Sequence, residues 1–212
     1  MRILLLLVMV LFTAPAFSNP DEGLYDPVAP EGSAFFRFIH ADPSRSDATP
    51  IADTKSYDAL SYKSISPYFV VAEGDVIFKA GDHQRAHALS AKRYYSVIIQ
   101  NNGLNVLEDQ ALDNMSKAQI TFYNMSTRPV LTLQTRGQKV IPITKDVQSG
   151  LSSSREINAV KLTPAISEFE QEVTYLEEIV LENKNSYSVI AFDTQDGEVE
   201  AIIQKARTDT TR

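Results

Sequence analysis

The sequence predicts an all-β protein built as two tandem β-sandwich-like domains joined by a short linker. Three observations predict it. Apolar runs of four to eight residues recur at near-regular spacing with turn signals between them, the pattern of a sandwich or barrel. The stretch Tyr95-Ser96-Val97-Ile98 returns as Tyr187-Ser188-Val189-Ile190, with Leu89 and Leu181 six residues before each tyrosine. A polar turn and a second apolar run follow each copy, so each reads as the same hairpin in two related domains.

The first 18 residues read as an export leader. Arg2 is followed by the apolar run Ile3 to Phe12, too short for a membrane span, and Ala16-Phe17-Ser18 supplies small residues for cleavage before Asn19. An exported mature chain is expected. No later stretch is long and apolar enough to span a bilayer. With 27 acidic against 20 basic residues and a net charge of −7, the chain is a poor candidate for nucleic-acid binding. Lys79, Arg85, Lys92 and Arg93 form a local basic strip that reads as a solvated face. The chain contains no cysteine, so disulfides, thiol nucleophiles and cysteine metal sites are excluded.

Residues 19–32 read as an extended N-terminal arm, rich in proline and glycine, that Leu24 and Tyr25 could pin to a sheet. The first β-domain spans 33–108. It opens on the strand Ser33 to His40, with Phe36, Phe38 and His40 on one face and Phe35, Arg37 and Ile39 on the other. Asp42 to Pro50 reads as loop. Strands are expected at Ser56 to Ile65, Tyr68 to Ala72, Val76 to Lys79 and Gln84 to Leu89, followed by the hairpin. Residues 109–117 are polar and read as the linker. The second β-domain, 118–206, opens on Ala118 to Asn124. Phe122 aligns with Phe38, and Asn124 with His40. Phe38 and Tyr95 are 57 positions apart, and Phe122 and Tyr187 are 65 apart, which fits a duplication. Within it, Val130 to Gln134 and Val140 to Val147 are expected strands and Gln148 to Asn158 a serine-rich loop. Ser167 to Glu182 could be one helix, but strands are preferred because strands precede the matching leucine in the first domain. Residues 207–212 read as a polar tail.

No residue set announces a reaction. His83 and His87 would share a helix face, but their segment reads as turn and strand and no third ligand is spaced to join them. There is no G-x-S-x-G elbow for a serine hydrolase. The carboxylates from Glu168 to Glu182 read as a solvated or docking face rather than a glycosidase pair, and no glycine-rich phosphate loop follows a strand. No catalytic, cofactor-binding or metal residue is assigned, and no cofactor is implied.

Five segments carry a family resemblance: Leu24-Tyr25-Asp26-Pro27, Gly32 to Phe38, Leu89 to Ile98, Ile120 to Asn124, and Arg155-Glu156-Ile157-Asn158-Ala159-Val160. In this order and spacing the chain resembles the alginate O-acetylation protein family AlgF. The resemblance implies an exported, periplasmic protein of two β-sandwich-like domains. It implies a noncatalytic adaptor that links membrane-bound O-acyltransferase machinery to periplasmic acetyltransferases. The alternative is a carbohydrate-binding module that holds the polysaccharide directly. Some members carry cysteines in the second domain; this chain has none.

Overall fold

The computed structural model describes residues 29–209, and every element in it is a strand. The expected leader, residues 19–28 of the arm with Leu24 and Tyr25, and residues 210–212 lie outside the described residues. The first half contains β1 (Ser33–His40), β2 (Asp47–Ala48), β3 (Pro50–Ala52), β4 (Lys55–Ser56), β5 (Leu60–Ser61), β6 (Tyr68–Ala72), β7 (Gly74–Ala80), β8 (His83–Leu89), β9 (Tyr94–Gln100) and β10 (Gly103–Asp109). The second contains β11 (Ala118–Asn124), β12 (Val130–Thr135), β13 (Pro142–Gln148), β14 (Ser152–Ile157), β15 (Lys161–Leu162), β16 (Pro164–Glu168), β17 (Gln171–Tyr175), β18 (Ile179–Val180), β19 (Ser186–Asp193) and β20 (Val199–Lys205). A last strand, β21 (Thr208–Asp209), follows.

Each half is a sandwich of two sheets. The first has β10-β9-β1-β6-β21 over β4-β3-β7-β8, and the second has β14-β11-β19-β20 over β13-β12-β16-β17. The duplication holds at the level of register. β1 runs parallel to β9 with Phe38 beside Val97, and β11 runs parallel to β19 with Phe122 beside Val189. The hairpins β9–β10 and β19–β20 are antiparallel, as the repeat requires.

The repeated leucine and tyrosine have one structural cause. Leu89 and Leu181 are buried in their respective cores. The Tyr95 hydroxyl accepts the Ser90 N–H at 3.1 Å, and the Tyr187 hydroxyl accepts the Glu182 N–H at 3.1 Å. Each tyrosine thus ties its strand back to the chain just after its leucine, a tyrosine corner made twice. A further shared position, Lys92 and Lys184, has positive φ of 61° and 67°. Its N–H donates to Ser33 C=O in the first domain and to Lys117 C=O in the second, at 2.6 and 2.9 Å. This left-handed turn aims the chain from the leucine into the strand.

Strand alternation sorts the repeat between two environments. Tyr95, Val97 and Ile99 enter the first core with Phe36, Phe38 and Phe78. Tyr187, Val189 and Ala191 enter the second with Ile120, Phe122 and Leu133. The opposite faces do not meet water. Ile39, Ile98, Tyr123, Ile190 and Phe192 form a third apolar cluster between the domains. Burying such side chains is worth about 1.5–3 kcal/mol each, so the two β1- and β11-centred sheets are packed back to back.

Several expectations change. Of Gln148 to Asn158, read as loop, Ser152 to Ile157 form β14 and pair with Tyr123 back to Ala118, the three serines lying beside Tyr123, Phe122 and Thr121. Serine disfavours strands, but a neighbouring buried strand that needs its backbone bonds filled overrides that preference. Ser56 to Ile65 is not one strand; it divides into the end of β4, β5 and a bridge from Ile65 to Ile39. Asp42 to Pro50 includes β2 and the start of β3. The preferred strand reading of Ser167 to Glu182 holds, in pieces: the end of β16, then β17 and β18, with the β16–β17 turn placing Phe169 and Glu170 at φ 48° and 68°. Asp109 ends β10 rather than opening a linker. Within the polar tail, Thr208 and Asp209 run parallel to β6, so the chain returns to the first domain.

Replacing Tyr95 or Tyr187 with Phe keeps the ring and removes only the corner bond. Each variant is expected to lose about 1 kcal/mol in chemical denaturation. No loss in either would show that the corner bond contributes nothing to stability.

Candidate functional site

Arg37 sits between Phe36 and Phe38 on β1, so its side chain leaves the first core on the opposite face. In one isolated domain that face would be wet. Here it meets the second domain, and Arg37 is 2% exposed. Its Nε donates to Ser96 Oγ at 2.9 Å, and its Nη2 donates to the Tyr123 hydroxyl at 2.7 Å and Ser188 Oγ at 2.8 Å. Ser96 and Ser188 are the serines of the two repeat copies. Both repeats therefore converge on one guanidinium, which also lies 4.5 Å from the Tyr68 ring centre.

The counter-charge is Asp109, 3.9 Å from Arg37 Nη2. Its Oδ2 accepts from Tyr68 at 2.7 Å and from Ser96 at 2.6 Å, and its Oδ1 accepts from Tyr123 at 2.5 Å. Burial works against the Arg37 cation, but attraction to Tyr123, Tyr68 and Asp109 outweighs it and holds the guanidinium more firmly protonated than usual. Burial, with the Asp109 carboxylate adding to it, pushes the Tyr68 and Tyr123 hydroxyls well above the ordinary value, against partial relief from Arg37. They are donors here, not nucleophiles. With three donors already on its carboxylate, Asp109 is poorly placed to ligate a metal.

Beside this network lies an interdomain cavity of about 280 Å³, lined by Arg37, Asp109, Thr121, Ser188 and Lys184 among others. The Arg37 bonds above use Nε and Nη2. The lining carries both the Arg37 guanidinium and the Asp109 carboxylate, so the cavity presents both signs of charge. The apolar alternation marks Arg37 as lying off the core face, but Asp109 gives no such signal, because its partners are distant in sequence.

The other candidates are placed as follows. His83 and His87 lie on β8, where four residues span about 13 Å, so they do not converge on one ion. His83 Nε2 bonds Asn101 C=O, and the His87 ring meets Tyr95 edge-on. Buried His40 bonds Leu60 C=O through Nδ1. In the basic strip, Arg93 pairs with Glu108. The acidic run is dispersed into ion pairs: Glu168 with Arg128, Glu172 with Arg136, Glu178 with Lys161 and Glu182 with Lys205.

The family described as "Alginate O-acetyl transferase AlgF" matches residues 6–188. The chain belongs to the AlgF family. It is 31% identical over 162 residues to "Alginate biosynthesis protein AlgF" of Azotobacter vinelandii, covering 76% of this chain and 73% of the relative. It is 29% identical over 170 residues to the protein of that name in Pseudomonas aeruginosa, covering 77% and 75%. Among solved structures it is similar to the N-terminal domain of AlgF from P. aeruginosa, with a TM-score of 0.35 and 22% identity, covering 39% of this chain and 100% of that one. It is also similar to the C-terminal domain, with 0.37 and 26%, covering 42% and 98%. Among the described residues, no helix is long and apolar enough to cross a membrane.

A segment that carries the AlgF resemblance explains itself structurally. Arg155 Nη1 donates to the Pro142 C=O at 2.7 Å, tying β14 to β13 of the facing sheet. Glu156 Oε1 accepts the Asp113 and Asn114 N–H groups and fixes the interdomain segment, and Ile157 packs on the second core.

Two outcomes test the network. Arg37→Met strands a buried carboxylate and should cost about 3–5 kcal/mol in denaturation, and adding Asp109→Leu should recover much of it. The tyrosines act at high pH. Below about pH 10 both folded and unfolded chains keep them protonated; above it the unfolded chain ionises first. Stability should therefore fall as pH rises above 10, with a shallower fall in Tyr123→Phe. An equal slope in both would remove Tyr123 from the network's energetics.

Proposed function

We propose that this protein is a noncatalytic periplasmic adaptor in the O-acetylation of alginate. It links the membrane-bound O-acyltransferase machinery that supplies acetyl groups to periplasmic acetyltransferases. Family membership gives the pathway, alginate biosynthesis. The leader-like N-terminal sequence motivates the periplasmic location.

The observation that carries the adaptor reading is where apolar side chains are exposed. Val140, Ile141, Leu151, Val160, Phe169, Tyr175 and Val180 all lie in the second domain, against Ile77 in the first. Phe169 is 84% exposed at the tip of a hairpin whose two central residues have positive φ. A bulky aromatic held in a costly backbone state and presented to solvent fits a contact surface better than a packing role. The interdomain serines and tyrosines are engaged in holding the domains together, which leaves the outer surfaces for partners.

Co-purification with the acetyltransferases encoded beside this protein should recover a complex. Clean failure with all of them contradicts the adaptor reading. The pure protein given an activated acetyl ester should show background turnover, and turnover clearly above background contradicts the noncatalytic part.

A further inference from the structure

We propose that a basic-rimmed groove in the second domain is the surface that takes the acetyltransferase. It would receive a segment of that partner in which an apolar side chain is flanked by carboxylates. The proposal rests on the adaptor reading and adds to it the docking site and the chemistry of the docked segment.

The groove, about 520 Å³, lies between the β12–β13 connection and the β14–β15 connection. Its floor includes Ile143 and Leu162, both members of the second core, and Ile157, which packs against that core. Here the two sheets part and the aliphatic core reaches an opening. Ile141 and Val160 line it and are 45% and 44% exposed. Arg136, Lys139, Arg155 and Lys161 line it too, and no carboxylate does, although the chain as a whole carries a net charge of −7.

These cations are not all committed to closing the groove. Arg136 and Lys161 pair with Glu172 and Glu178, which stand outside the lining, and both pairs are substantially exposed. Among the described residues Lys139 makes no ion pair. An apolar floor inside a charged rim is the anatomy of a protein interface, with an anchor in the pocket and charge setting partner choice and encounter rate. Sign complementarity makes the incoming segment acidic. A polyuronate would also meet the cations. It would set hydroxyls against the aliphatic floor, however, and no aromatic ring lines the groove for a sugar to stack on.

The test titrates an acetyltransferase encoded beside this protein into the ¹⁵N-labelled full chain, comparing wild type with Lys139→Glu/Val160→Asp. Amide dispersion checks the fold, and Ile77→Asp in the first domain serves as a surface control. The expected result is shifts at Lys139, Val160 and Lys161, binding at least about tenfold weaker in the double variant, weaker wild-type binding at higher salt, and a neutral control. A complex that the folded double variant forms as tightly as wild type overturns the groove and leaves the adaptor reading standing. Absence of any wild-type complex overturns both. Groove shifts produced by oligouronates instead, or by concentrating the chain alone, assign the surface to the polymer or to a second copy and overturn the proposal.

Discussion

Taking the Arg37 guanidinium and the Asp109 carboxylate out of water costs several kcal/mol for each ion. The fold meets that cost only where the two domains touch. Ser96 comes from the first repeat copy, Ser188 from the second, Tyr123 from the opening strand of the second domain, and Tyr68 from β6. Neither domain alone contains the full set. Separating the domains would leave a charged pair half-solvated beside an exposed apolar cluster of Ile39, Ile98, Ile190 and Phe192. The network and the cluster therefore act together, one setting register and the other supplying most of the attraction.

The duplication is symmetric where it builds each sandwich and asymmetric where the copies meet. The tyrosine corners, the left-handed lysines and the parallel pairing of first strand with hairpin recur in both domains. The alignment of Phe38 with Phe122 puts Thr121 where the first domain has Arg37, and Thr121 bonds Ser154 within its own sheet. One guanidinium serves both copies; a second in the same space would add an unpaired like charge. The edges differ too. β6 is covered by the returning β21, whereas its counterpart β14 is the edge strand of its sheet. The second domain also carries most of the exposed apolar side chains.

Much of this was legible in the sequence because it depends on local alternation. Tyr95 and Val97 facing away from Ser96 and Ile98, and Arg37 facing away from Phe36 and Phe38, follow from the two-residue period of a strand. The alternation could not say that both faces are buried. A sheet face packed against a second copy looks, in sequence, like one that is merely apolar. Asp109 looked like the start of a polar linker because its neighbours 110–117 are polar, and its burial is set by Tyr68 and Tyr123, far away in the chain. Ser152 to Ser154 and Thr208-Asp209 were hidden for a related reason. Their strand state comes from the strand beside them, not from their own preferences. The groove in the second domain was illegible because its cations come from separate stretches of chain, Arg136 and Lys139 before β13, Arg155 on β14 and Lys161 on β15.

If Arg37 and the apolar cluster join the domains into one body, the domains cannot tumble separately. Backbone ¹⁵N relaxation on the full chain tests this most directly. Amides of β1 and β9 and amides of β11 and β19 should report one common rotational correlation time, set by the whole chain. Two distinct times, each close to that of a single domain, would contradict the account.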